Sequence, residues 1–259
     1  MNNLLIPKYK LQFFIFEKSG SRAIIDSLKK LFDFTQDNNV LTTEDFHDLE
    51  VQWPRGYTRV LIYRNVYKRL VSGWYTKINT ILEHRNKKNL HDGDWYDDNN
   101  LRPKTKDFEE HRVCFQNFCK EFFVYNEYNP YTDISVFPRV DAHLQNLQVQ
   151  IGKEYQDKID YKVNLENLID EIELIMTKVG ISKTDSSKFI ESLKVEKQIM
   201  KEQKSKMIEK NKYDLVKEYR ATRVTDDYYS YYNKISDDTL KSVNEYYNGD
   251  FDYLRMKRL

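Results

Sequence analysis

The chain has 259 residues, enough for one domain of ordinary size, and its 40% hydrophobic content allows a buried core beneath a surface rich in charge. Lys and Arg number 42 against 41 Asp and Glu, a net charge of +1, so bulk attraction to nucleic acid is excluded and any anion site must be local. No run reaches the roughly eighteen apolar residues of a membrane span, and the opening MNNLLIPKYKLQFFIF carries Lys8 and Lys10 with no small-residue cleavage site, so a soluble, cytoplasmic protein without anchor or signal peptide is expected.

The first clear element is Leu11-Gln12-Phe13-Phe14-Ile15-Phe16, a short apolar run of the kind that forms a strand buried on both faces. It stops at Glu17-Lys18-Ser19-Gly20-Ser21-Arg22. Ile24, Ile25, Leu28, Leu31 and Phe32 then recur at helical spacing. The pattern repeats: Thr58 to Tyr63 reads as a second buried strand, Arg64-Asn65 closes it, and Leu70, Val71, Trp74, Tyr75, Ile78 and Ile81 mark an amphipathic helix. Two strand-to-helix units predict an α/β fold with a central parallel sheet flanked by helices.

Residues 83–112 are polar and aperiodic, which predicts a long surface insertion. Helical spacing returns from Val113 to Tyr125. Ile159 to Val163 is a candidate third strand, and Leu165 to Val179 a helix ending at Gly180. A lysine-rich helical stretch from Ser186 to Tyr219 has a thin apolar stripe through Phe189, Leu193, Met200, Met207 and Leu215, and Ser236 to Tyr253 reads as one further helix. No Gly, Ser or Pro-rich linker divides the chain, so a single domain over 1–259 is expected.

The turn Lys18-Ser19-Gly20-Ser21 stands between a buried strand and a helix start, where unpaired N–H groups and the positive dipole end suit an anion. Taken alone it reads better as an ordinary capped helix with a solvated lysine. A Walker sequence is not present, because Lys precedes the one Gly. Arg64 ends the second strand, with Arg69 and Ser72 five and eight residues on, and strand-end placement puts Arg64 at the same carboxyl edge as the first turn. The run Tyr228, Tyr229, Tyr231 and Tyr232 suits core packing better than stacking on a base or sugar. Five scattered histidines and no thiol pair at ligand spacing argue against a metal site.

FFIFEKSGSRAIIDSL followed by VLIYRNVYKRLVSGWY resembles the two nucleotide signatures of the sulfotransferase superfamily, most closely the Golgi carbohydrate sulfotransferases and the heparan sulfate 2-O-sulfotransferase group. The resemblance implies a P-loop-like nucleotide site at the carboxyl edge of the sheet. There Lys18, Ser19, Gly20, Ser21 and Arg22 would bind the 5′-phosphosulfate of 3′-phosphoadenosine 5′-phosphosulfate, and Arg64, Arg69 and Ser72 its 3′-phosphate. Asp141-Ala142-His143-Leu144 is similar to the family's Asp-x-His segment, with His143 positioned for substrate. Tyr161 to Leu168 is similar to its strand and Glu-Asn-Leu start, and Tyr246-Tyr247 with Asp250-Phe251 to its terminal pattern. Arg220, Thr222 and Arg223 resemble the late basic loop that closes over the nucleotide. Glu17 and Val66 stand where the family has Pro, and Arg22 where it has Thr.

The function so implied is transfer of a sulfuryl group to a hydroxyl, most readily on a carbohydrate, with adenosine 3′,5′-bisphosphate as product and no metal required. Lys18 would stabilise the leaving charge. The resemblance implies His47, in Thr43-Glu44-Asp45-Phe46-His47-Asp48, as the base, with Glu44, Asp45 and His143 as competitors. A P-loop-type kinase and a non-catalytic binding module of the same fold are the alternatives. No nucleic-acid partner is expected.

Overall fold

The computed structural model describes residues 2–16, 19–32, 40–42, 53–74, 115–120, 123, 144–209 and 227–259. The contacts divide the chain into two compact units, Met1–Asn65 with Ile151–Met207, and Val66–Gln150 with Ile208–Leu259.

The first unit is built on a five-stranded sheet of β1 (Asn2–Ile6), β2 (Leu11–Ile15), β3 (Val40–Thr42), β4 (Thr58–Tyr63) and β5 (Tyr161–Asn164), in the order β3-β1-β2-β4-β5. Its centre is parallel as expected. β2 runs beside β4 in the register Leu11↔Thr58 to Ile15↔Ile62, and β4 beside β5 from Val60↔Tyr161 to Tyr63↔Asn164. The sheet as a whole is mixed, because β1 pairs antiparallel with β2, and β3 antiparallel with β1. Sequence reasoning passes over β1: Asn2-Asn3-Leu4-Leu5-Ile6 has two poor strand formers, and its pairing with β2 overrides that local preference.

All five residues of β2 are buried, which is why its sequence runs apolar instead of alternating. One face of the sheet presents Phe13, Ile15, Val60, Ile62 and Val163 to helix α1 (Ser21–Leu31) and to the helices Leu168–Lys178 and Lys183–Glu209. α1 contributes Ala23, Ile24 and Leu28 to this core, and the long helix Phe189 and Leu193. On the other face Phe14 stacks on Trp53 and Trp53 on Tyr155, each at 4.7 Å between ring centroids.

The second unit gathers the helical residues 66–74, the short helix Phe115–Cys119, the 3-10 helix Tyr228–Lys234 and the helices Asp237–Tyr246 and Asn248–Leu254 around an aromatic core. Tyr228, Tyr231 and Tyr232 are buried in it and Tyr232 donates its hydroxyl to the Tyr67 carbonyl at 2.9 Å, so three of the four tyrosines in that run serve packing. The predicted terminal helix is two helices meeting at Tyr247. Asn248 and Gly249 are weak helix formers, and the Tyr247 hydroxyl is held by the Leu144 carbonyl at 2.5 Å. Among the described residues no helix is long and apolar enough to cross a membrane. The 83–112 insertion lies outside the described residues.

Candidate functional site

In the first unit, three parallel strand ends meet at the carboxyl edge of the sheet. Beyond β2, Phe16 donates to the Ile62 carbonyl at 3.0 Å and Ser19 donates its amide to Phe16 at 3.1 Å, a tight turn that leads into α1. Gly20 caps that helix with φ of +73°, a conformation that favours glycine, and an added Cβ would stand 3.0 Å from Leu165 Cδ1. Leu165 belongs to the 3-10 turn Leu165–Asn167 that follows β5, so the turn after β5 packs directly on the turn after β2.

Two features of the β2–α1 turn favour an anion. Among the described residues no side chain caps α1 and no acid lies in its first turn, so within that set the helix start keeps unpaired N–H groups and its positive dipole end. Ser19 is fully buried, yet its Oγ has no hydrogen-bond partner among the described residues. A sealed hydroxyl of this kind costs about 1–3 kcal/mol and calls for an explanation. Arg22, expected on the same phosphate, is exposed and pairs with Asp26 one turn along, at 3.9 Å.

Arg64 stands at the end of β4, as predicted. Its side chain is 14% exposed, and its Nε lies 3.5 Å from Glu166 Oε1 on the turn after β5. Asn164 shapes that turn by accepting the Glu166 amide at 3.0 Å. Burial raises the pKa of the neighbouring Tyr63, with Glu171 and Glu166 adding to the rise. Burial also lowers the pKa of Lys197 on the long helix, against the opposing pull of Glu166. Sequence reasoning passed over Lys197. Its signal was spacing: Phe189, Leu193 and Lys197 share one helix face, and the first two are core residues.

The second unit contains Arg69 and Ser72. Arg69 is 2% exposed and pairs with the equally buried Asp250 at 3.2 Å. Its guanidinium lies 5.4 Å from the Tyr247 ring centroid. Asp250 also accepts the Leu147 amide at 2.6 Å. Burial raises the Asp250 pKa to about 6, with Arg69 and the Leu147 amide opposing the rise. Arg69, expected to bind a phosphate, lies in an internal ion pair that joins the helical residues 66–74 to the Asn248–Leu254 helix. Ser72 is buried at 8% exposure. Lys18, Glu44, His47, His143, Arg220, Thr222 and Arg223 lie outside the described residues.

Comparison with protein-family models, curated proteins and solved structures finds no match to this chain.

Proposed function

We propose that the chain is a sulfotransferase that moves a sulfuryl group from 3′-phosphoadenosine 5′-phosphosulfate to a hydroxyl acceptor, with a carbohydrate as the acceptor class. The observation that carries this reading is the partnerless, buried Ser19 Oγ at the uncapped start of α1, beside a strand end that bears Arg64. A hydroxyl, a row of amides and a guanidinium form a donor set suited to phosphate and sulfate oxygens, and the two signatures in the sequence supply the same residues.

In this reading Ser19, Ser21 and the turn amides hold the 5′ end of the donor, with Lys18 beside them, and Arg64 takes the 3′-phosphate. The donor supplies an activated sulfuryl group when bound. His47 removes the proton of the attacking hydroxyl and His143 orients the acceptor. Oriented donors at the turn stabilise charge that grows on the leaving oxygen, the term that dominates transfers of this type.

The binding-module alternative has an observation of its own: Arg64 is engaged by Glu166, and Arg22 pairs on the surface. Incubation with sulfur-labelled donor and a panel of oligosaccharides separates the two. Label transferred to a sugar, and lost in His47→Ala, supports the enzyme. Nucleotide binding without transfer to any acceptor supports the module, and transfer of label from γ-labelled ATP instead supports a kinase.

A further inference from the structure

Three polar contacts fasten residues 144–147 to the two terminal helices of the second unit. The Tyr247 hydroxyl donates to the Leu144 carbonyl at 2.5 Å, Asn146 Nδ2 donates to the Tyr246 carbonyl at 3.3 Å, and the Leu147 amide donates to Asp250 Oδ1 at 2.6 Å. The last of these is the first N–H of the helix Leu147–Ile151, which that helix cannot itself satisfy. The residues so joined are buried, and the other carboxylate oxygen of Asp250 accepts from Arg69 Nη2 at 3.2 Å. An ionised carboxylate in water accepts about four hydrogen bonds. Among the described residues Asp250 accepts two, so its charge is solvated less well here than in water. Arg69, from the helical residues 66–74, is the cation that faces it, with the guanidinium 5.4 Å from the Tyr247 ring centroid. The neighbouring titratable groups are Tyr246 and Tyr247, whose rings meet edge to face at 4.7 Å, and Cys119 of the short helix in the same core. Burial raises the Tyr247 pKa well above its ordinary value, so that phenol stays neutral.

We propose that Asp250 is a proton-operated latch for residues 144–150, which close on the terminal helices with uptake of a proton and open more readily when the carboxylate is ionised. Lifting the segment takes the Leu147 amide from one carboxylate oxygen and lets water replace it. Closing excludes that water. Burial is the larger effect, because the closed carboxyl has its pKa raised to about 6 although Arg69 and the Leu147 amide both oppose the rise. Opened to water, the group returns toward 3.8. The closed state therefore binds the proton more tightly, so the latch is most secure below about pH 4 and loosens as pH rises to 6. This proposal does not depend on the sulfotransferase reading, in which the latched residues carry on directly from the Asp-x-His segment.

The test is amide hydrogen exchange of the full chain between pH 4 and 7, corrected for intrinsic rates. It is read at Leu147 and at Gln150, whose amide donates to the Asn146 carbonyl at 3.3 Å. The opening constant at both should rise about fiftyfold across that range. It should be indifferent to low urea and exceed that of the slowest amides in the Asp237–Tyr246 helix, which marks local opening and not unfolding of the unit. Asp250→Asn should flatten the pH profile. Tyr247→Phe, which frees Leu144 but leaves the carboxylate, should raise opening several-fold at every pH and keep the slope. A flat profile in the wild type, a slope that survives Asp250→Asn, or unchanged opening in Tyr247→Phe overturns the proposal. So does exchange at Leu147 no faster than the slowest amides of the helix. The wild-type profile and Tyr247→Phe keep the test decisive if Asp250→Asn does not fold.

Discussion

A hydroxyl shut away from water without a partner lowers stability, and a binding site is one reason to keep it. Ser19→Ala should therefore stabilise the ligand-free protein by about 1 kcal/mol in urea unfolding, while weakening adenosine 3′,5′-bisphosphate binding. Destabilisation in the free protein would show that the hydroxyl serves the fold. Asp250 offers a second residue-level test. Its pKa rises from 3.8 to about 6 on folding, because burial outweighs the help of Arg69 and the Leu147 amide. The folded state then holds the proton more tightly than the unfolded state. The stability this gives is full below about pH 4 and is lost as pH rises through 6, a change on the order of 3 kcal/mol. Asp250→Asn should remove that slope from the stability profile, whatever it does to the absolute value. Removing only the cation, as in Arg69→Met, leaves a buried carboxylate without its counterion and should cost about 3 kcal/mol or more at pH 7. An undiminished pH slope in Asp250→Asn would refute the assignment.

Among the elements, those with local signals were legible in the sequence. β2 and β4 are apolar runs, α1 follows a Gly-Ser turn, and the Leu168–Lys178 helix ends two residues before Gly180, with φ of +85°. The positions of Ser19, Gly20 and Arg64 followed from these elements, because a residue at a strand end is placed by the strand itself. What was not legible depends on partners distant in sequence. β1 and β3 exist through antiparallel pairing, the Glu166 contact needs the turn after β5, and Arg69 meets a residue 181 positions away. The packing of two turns at Gly20 is one such contact and can be measured. Gly20→Ala places a side chain at φ of +73° and close to Leu165, and should cost about 1–3 kcal/mol. In a double-mutant cycle Leu165→Ala should relieve the steric part and leave the backbone part. Strict additivity of the two changes would argue against the contact.

On the scale of the molecule, near-neutral charge means that any anion site must be local. The chain divides at Asn65 and Val66 without any Gly or Pro linker, so composition carried no sign of the two compact units. Arg64 stands just before that division and Arg69 just after it, so one short stretch serves a strand end in one unit and a buried ion pair in the other. The proposed sulfotransferase requires the strand-end site of the first unit to recognise a nucleotide through a phosphate beyond its 5′ group. The most direct measurement is the shift in melting temperature with saturating adenosine 3′,5′-bisphosphate and with AMP, in the wild type and in Arg64→Ala. At a hundredfold excess over the dissociation constant the bisphosphate should stabilise by about 2.7 kcal/mol, a rise of about 5 °C or more. AMP should give much less, and Arg64→Ala should bring the two together. Equal shifts from both ligands in the wild type, or none from either, would rule out 3′-phosphate recognition at this site.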